Sequence, residues 1–334
     1  MILPPDPIIS TIRGSLHSGI FKAAVSLDIF NIVNRGADDV TGVTRALAGD
    51  KRIVRMLLNA VTSFGLLDKL NDKYSLTAFS RSFLIDSPEA LASSADYREV
   101  FAVQWQAFGG IDQLARTGKP VVDPRNFGVE ASYWEALVRY LIPFAVAPAE
   151  AAAKLLGFDG QARRGTRILD LACGSGYLGY RLAQFDPEAT IVSNDWENVI
   201  KVSHDVARKM GVTDRVTFLP GDTMSVDLGS GYDLVIVSRI LTTMSLEGKK
   251  ALLRRTHTAL KPGGVVLIND PVADDAMATA ADQLAFALLI AGFHEVGGTY
   301  TFAECREWLE EASFGSIEFH PVPGESSLVT ANKI

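Results

Sequence analysis

Apolar positions recur every three to four residues through the first half of the chain. In the second half they gather into short runs. Ile9, Ile12, Leu16, Ile20, Ala23, Ala24 and Leu27 keep helical spacing, which predicts a helix over 8–34. The rhythm returns over 40–47 and 51–64, with Gly65 as the C-cap of the second segment. A short hairpin follows over 69–76, giving the order of a winged helix. Residues 88–115 and 130–156 read as helices dense in aromatics: Tyr97, Phe101, Trp105, Phe108, Tyr133, Trp134, Tyr140 and Phe144. Strands are expected at 167–171, 190–194, 215–219, 232–238, 263–269, 316–320 and 327–331, with helices between them. That alternation implies an α/β, doubly wound, largely parallel sheet. Ligands of such sheets sit beyond the carboxyl ends of the strands.

The first of these strands runs into Asp170-Leu171-Ala172-Cys173-Gly174-Ser175-Gly176-Tyr177-Leu178-Gly179. Glycines here permit a tight turn and close approach of a ligand to bare backbone. Gly174, Gly176 and Gly179 form a literal G-x-G-x-x-G, which alone is also compatible with a dinucleotide. Asp170 argues against that ligand, because a carboxylate repels a pyrophosphate but suits a cationic ammonium. Asp195 ends the second strand, where an acid accepts ribose hydroxyls. Pro220-Gly221-Asp222-Thr223 follows the third, and Asp222 is placed to accept from an adenine amino group. Leu260-Lys261-Pro262-Gly263-Gly264 reads as a helix stop and turn before the fifth.

Length and charge narrow the picture. The chain has 334 residues, 48% of them hydrophobic, which suits two domains. Its net charge is −7, and in the winged-helix region Arg45, Lys51, Arg52, Arg55, Lys69 and Lys73 are interspersed with Asp38, Asp39, Asp50, Asp68 and Asp72. Nucleic acid is therefore not the expected partner, since phosphate binding needs clustered cations. The opening Met-Ile-Leu-Pro-Pro-Asp-Pro has no signal-peptide pattern. No apolar run reaches about 18 residues, so no membrane span and a cytoplasmic protein are expected. Cys173 and Cys305 give neither a disulfide framework nor a metal pattern.

The ordered set of acids and glycines resembles the class I S-adenosylmethionine-dependent methyltransferases over residues 160 to 334. With the N-terminal helices and winged helix, nearly the whole chain resembles the small-molecule O-methyltransferases that dimerise through that region. The resemblance implies a Rossmann-like seven-stranded domain over 157–334, connector helices lining an acceptor pocket over 101–156, and a helical dimerisation domain over 1–100. It implies S-adenosylmethionine contacts at Asp170, Gly174, Ser175, Gly176, Asp195, Trp196, Asp222, Thr223 and Ser238, and a homodimer.

The chain departs from that pattern at the chemistry. Family members that methylate phenols carry His-Asp-Trp a few residues beyond the fourth strand, with the histidine as general base. The matching segment here is Ser238-Arg239-Ile240-Leu241-Thr242-Thr243-Met244, with Thr242 at the histidine position. A threonine hydroxyl is no base near neutral pH. His204 and His257 fall in peripheral helices and are expected at the surface. His294, after an expected helix over 276–292, is either a replacement base or a structural residue. The catalytic candidates are thus Arg239, Thr242, Asp270 and His294. A nucleophile without a proton, such as a thioether sulfur, needs mainly alignment. Arg239 suggests a carboxylated acceptor, because guanidinium binds carboxylate bidentately, unless it pairs with an acid such as Asp270. Tyr97, Arg98, Trp105 and Tyr140 are further acceptor-binding candidates, as is Arg139. Together these features are similar to the bacterial S-methyltransferases that act on 4-methylthio-2-hydroxybutyrate in dimethylsulfoniopropionate synthesis, which is the favoured expectation. O-, N- or C-methylation of a natural-product intermediate stays open, as does a non-catalytic S-adenosylmethionine-sensing regulator.

Overall fold

A computed structural model describes residues 6–122, 132–159, 164–277, 281–324 and 326–334. The chain divides into two units, Met1–Ala102 and Val103–Ile334. Of the expected connector region 101–156, residues from Val103 onward fall in the second unit.

The first unit runs α1 (Asp6–Ser26), α2 (Ile29–Asn34), α3 (Val40–Leu47), α4 (Lys51–Ser63), β1 (Leu67–Leu70), β2 (Lys73–Leu76) and α5 (Ala78–Phe83). The helix α6 (Ser94–Gly109) crosses the division. The single helix expected over 8–34 is two. Asp28 takes a left-handed φ of 57°, which breaks the helix between α1 and α2, and its carboxylate accepts the Asn31 side-chain amide at 2.7 Å. Asp39 and Asp50 cap α3 and α4 by accepting from Gly42 N at 2.7 Å and Ile53 N at 2.9 Å. β1 and β2 form the antiparallel hairpin of the winged helix.

The second unit begins with α7 (Ile111–Thr117), α8 (Ser132–Tyr140) and α9 (Ile142–Leu155). It continues through β3 (Arg167–Leu171), α10 (Tyr177–Phe185), β4 (Thr190–Asp195), α11 (Glu197–Lys209), β5 (Val216–Pro220), β6 (Tyr232–Ser238) and α12 (Leu246–Ala259). The remaining elements are β7 (Leu260–Asp270), β8 (Val272–Ala273), α13 (Ala281–Ala291), β9 (Tyr300–Thr301), α14 (Phe302–Glu311), β10 (Phe314–Pro321) and β11 (Ser327–Lys333). The helix expected over 130–156 bends by 47° where α8 meets α9, next to Pro143 in the first turn of α9. No single helix among the described residues is long and apolar enough to cross a membrane; the bent pair passes by length and composition only.

The sheet has seven strands in the order β10-β11-β7-β6-β3-β4-β5. β3 to β7 are mutually parallel, and β11 pairs antiparallel with both β7 and β10. Its inner strands are near-continuous apolar runs, as a sheet covered on both faces requires. Leu252 and Leu253 of α12 and Trp308 and Leu309 of α14 pack with Val235, Val237, Val266 and Ile268 in one buried cluster. From β3 the chain moves toward β4, and from β6 toward β7. The connections leaving the adjacent strands β3 and β6 therefore diverge at the carboxyl ends and leave a crevice there.

Candidate active site

A cavity of about 520 Å³ opens over that crevice, built by the second unit alone. Its floor is made by strand ends. Asp170, on β3, is buried, and a Cβ on Gly179 would sit 2.9 Å from its Oδ2. The missing side chain at Gly179 is what leaves room for the carboxylate. Burial pushes the Asp170 carboxyl well above the usual carboxylate range and the neighbouring Asp195 adds to this, against a hydrogen bond from the Gly179 backbone.

Asp195, at the end of β4, accepts Gly174 N at 2.8 Å on Oδ2 and Trp196 N at 2.7 Å on Oδ1. Burial raises it to about 6, with both backbone bonds opposing. Gly174 and Gly176 hold φ of 55° and 74°, the left-handed turn expected of them. Ser175 accepts Tyr177 N at 3.4 Å and so serves the turn. Trp196 meets Trp134 of α8 edge to face, with centroids 5.7 Å apart, and both line the cavity. Asp222 is exposed at the rim and accepts Met224 N at 2.9 Å. Ser238 accepts the Asn269 amide at 3.0 Å.

The Thr223 hydroxyl points elsewhere: it donates to Asn194 Oδ1 at 2.7 Å. Asn194 had no role assigned from sequence. Its amide donates to Leu219 O at 2.9 Å and Gly221 O at 3.0 Å, so one fully buried side chain fixes the loop after β5. No signal set it apart, because β4 also carries Thr190, Ser193 and Asp195 among its six residues.

Helices make the roof: Trp134, Leu137 and Leu141 from α8 and its end, Phe286, Leu289 and Ile290 from α13. Arg239 follows β6 with a left-handed φ of 56°, and its amide donates to Asn269 O at 2.9 Å. Such backbone in a non-glycine residue is held only by surroundings that over-determine it. Its guanidinium donates to Ser326 Oγ at 3.0 Å and lies 4.9 Å from the Phe286 centroid and 5.8 Å from that of Phe144. The Asp270 partner expected for it is near enough to be lowered by its charge, but the hydrogen bond is to Ser326. His294 lines the cavity, and burial lowers its pKa.

Two catalytic candidates are displaced from the wall. Thr242 and Asp270 are both fully buried behind it. The Thr242 hydroxyl donates to Asp270 Oδ1 at 3.4 Å and the Tyr300 hydroxyl to Oδ2 at 3.1 Å. Burial raises Asp270 to about 6, with Arg239 and the Tyr300 bond opposing. They form a packed polar cluster, because the short helical turn Leu241–Thr243 tucks Thr242 inward.

The connector candidates also separate. Tyr97 and Arg98 lie in the first unit, where Tyr97 packs edge-on against Phe21 and Arg98 donates to Val25 O at 3.3 Å. Trp105 is 41% exposed and off the cavity wall. Tyr140 stands behind it, its hydroxyl donating to Gln104 Oε1 at 3.4 Å. Arg139 is paired with Asp205 at 2.9 Å. His257, expected at the surface, is half-buried against Phe314, and His204 is exposed. No cluster of His, Cys, Asp and Glu fit for a metal ion occurs among the described residues.

Residues 162–312 match the family model described as a methyltransferase domain, and residues 9–86 match the O-methyltransferase dimerisation domain. Along 99% of the chain and 97% of the relative, the sequence is 27% identical to a 3-hydroxy-5-methyl-1-naphthoate 3-O-methyltransferase of Streptomyces sahachiroi. A proposed O-methyltransferase of Nostoc punctiforme superposes over all of both chains with a TM-score of 0.78 at 26% identity. Human N-acetylserotonin methyltransferase in complex with S-adenosylmethionine shares the fold, with a TM-score of 0.71 at 21% identity over 100% of this chain and 99% of the other. The chain is an S-adenosylmethionine-dependent methyltransferase of small molecules.

The methyltransferase floor fits that cofactor on its own terms. Two carboxylates raised by burial favour a ligand that brings an ammonium and ribose hydroxyls. The glycine turn leaves bare backbone beside them.

Proposed function

We propose that this methyltransferase methylates a ring hydroxyl of a small aromatic acid of the hydroxynaphthoate class, acting as a homodimer. The carrying observation is Arg239, whose guanidinium lies beside the rings of Phe286 and Phe144 and which shares the cavity wall with Phe286, Leu289, Ile290, Phe293 and Leu141. Such a wall takes a flat apolar ring, and Arg239 takes its carboxylate. The Streptomyces sahachiroi relative is named for a carboxylated naphthol methylated on oxygen. That support replaces the expectation of S-methylation of 4-methylthio-2-hydroxybutyrate, an aliphatic acid that leaves the ring-lined roof without a partner.

When bound, S-adenosylmethionine presents an electrophilic methyl group on a sulfonium. Asp170 receives its ammonium and Asp195 its ribose hydroxyls, Gly174 and Gly176 let it reach the backbone, and Trp196 and Asp222 border its base. Arg239 orients the acceptor. The roof helices exclude water, which strengthens each of these polar contacts. For the dimer, the match over residues 9–86 is joined by exposed Ile8, Ile12 and Leu16 on α1.

The test is a panel of hydroxynaphthoates, the corresponding naphthols, aromatic amines and 4-methylthio-2-hydroxybutyrate, with the methylated atom located by mass spectrometry and NMR. Hydroxynaphthoates are expected to exceed naphthols in kcat/KM by about tenfold or more, an advantage that Arg239→Ala removes. Equal use of naphthols removes the carboxylate from the proposal, and preferred methylation of the thioether or an amine overturns it.

A further inference from the structure

We propose that His294 is the general base that takes the proton of the acceptor hydroxyl, in place of a histidine on the turn after β6. This rests on the hydroxyl-bearing acceptor proposed above. The loop that carries His294 lies directly against that turn. Gly298 N donates to Thr242 O at 2.7 Å, and a Cβ on Gly297 would come within 2.5 Å of the same carbonyl. Both glycines have left-handed φ, 111° and 131°, so the loop needs them to reach the turn.

The other end of the loop is held as firmly. His294 N donates to Ile290 O at 2.9 Å, continuing the last turn of α13. Gly292 O accepts both Val121 N at 3.0 Å and Val122 N at 3.1 Å. The histidine is thereby fixed between α13 and the turn at 241–243, on the wall that also carries Arg239. Thr242 itself has no part in proton removal: it is fully buried and its hydroxyl is engaged by Asp270.

The imidazole is suited to accept a proton. Arg239 after β6, Asp170 of β3, Asp195 of β4, Asp222 in the loop after β5, Tyr133 of α8 and Tyr177 of α10 share the cavity with it, as does Cys173, and Glu295 is its exposed neighbour in the chain. None of these charges moves it. Burial alone lowers it from the ordinary histidine value, so the ring is neutral at pH 7.

In the transfer step the acceptor O–H proton passes to the free imidazole nitrogen. The oxygen lone pair forms the new bond to the methyl carbon, and the C–S bonding pair stays on sulfur, leaving neutral S-adenosylhomocysteine. The imidazolium then returns its proton to water. No other reactant is needed.

The test compares the full-length protein with His294→Ala and His294→Gln on the hydroxynaphthoate that the wild type uses best. Loss of the base is expected to lower kcat by about a hundredfold or more, with KM changed little. Calorimetric affinity for S-adenosylhomocysteine should stay within about twofold, because the floor is untouched. The wild-type rate should be flat above pH 7, whereas the variants should rise about tenfold per pH unit toward the phenol range near 10. Added imidazole should restore His294→Ala by about tenfold or more. A variant that keeps over a third of kcat, or one that imidazole does not rescue and whose cofactor affinity falls in step, overturns the assignment. If the wild type uses no hydroxynaphthoate, the acceptor class fails by itself. His294 is then judged by ¹⁵N-histidine NMR of the S-adenosylhomocysteine complex, where a ring neutral at pH 7 upholds the base and one protonated at pH 7.5 overturns it.

Discussion

The Asp195 carboxylate accepts the Gly174 amide at 2.8 Å, so the end of β4 holds the glycine turn that follows β3. One side chain thereby shapes the turn and offers its remaining lone pairs to the ligand. Asp195→Ala removes both functions. Its affinity for S-adenosylhomocysteine, read by calorimetry, should fall by about tenfold or more, since a charge-assisted hydrogen bond contributes about 1.5–3 kcal/mol. Unchanged affinity would remove Asp195 from the binding site.

The same group makes binding depend on pH. Its folded-state pKa is raised to about 6, so its contribution to apo stability is present at low pH and is lost as pH rises through about 6. Ligand hydroxyls favour the ionised form. The gain in Tm on adding S-adenosylhomocysteine should therefore be larger at pH 7.5 than at pH 5, as scanning fluorimetry can show. A gain equal at both values would mean that Asp195 does not change protonation on binding.

Gly176→Ala should destabilise the fold and weaken the cofactor together. The position has φ 74°, and an added Cβ would overlap the Tyr180 ring, which is itself fully buried. Overpacking of this kind costs about 1–3 kcal/mol, read as a lowered urea midpoint with unchanged m-value. A variant as stable as the wild type would show that Tyr180 yields easily.

Thr242→His should not create a working base. The site is fully buried, filled by the Thr242–Asp270–Tyr300 contacts, and capped by Gly297 and Gly298. An imidazole there should lower stability by about 1–3 kcal/mol and leave kcat no higher. A stable variant with raised kcat would place this residue on the wall after all.

The sequence made the floor of the cavity legible and the roof only partly so. Asp170, Gly174, Gly176 and Asp195 were readable because strand ends and tight turns are local: chain position alone says that they meet beyond the sheet. Asn194 was missed because its role is to bridge two neighbouring strands, which no local spacing displays. Thr242 and Asp270 were expected near the acceptor, but whether a side chain after a strand faces inward or outward depends on the turn packed over it. Trp134 reaches the cavity while Trp105 does not, although both stand on aromatic-rich helices. The bend between α8 and α9 and the packing of each helix select those faces, and periodicity does not reveal either. The break at Asp28 was hidden for a similar reason, since the apolar rhythm continues through it.

Asn194 anchors the loop after β5 to the strand beside it, and Asp195 anchors the turn after β3. The helices above contribute side chains to the cavity without taking part in those anchors. Exchanging a bulky roof residue such as Phe286 or Leu137 should remould the acceptor space while the methyl donor keeps its seat. Selectivity can therefore be redesigned from above, one helix face at a time, on an unaltered foundation.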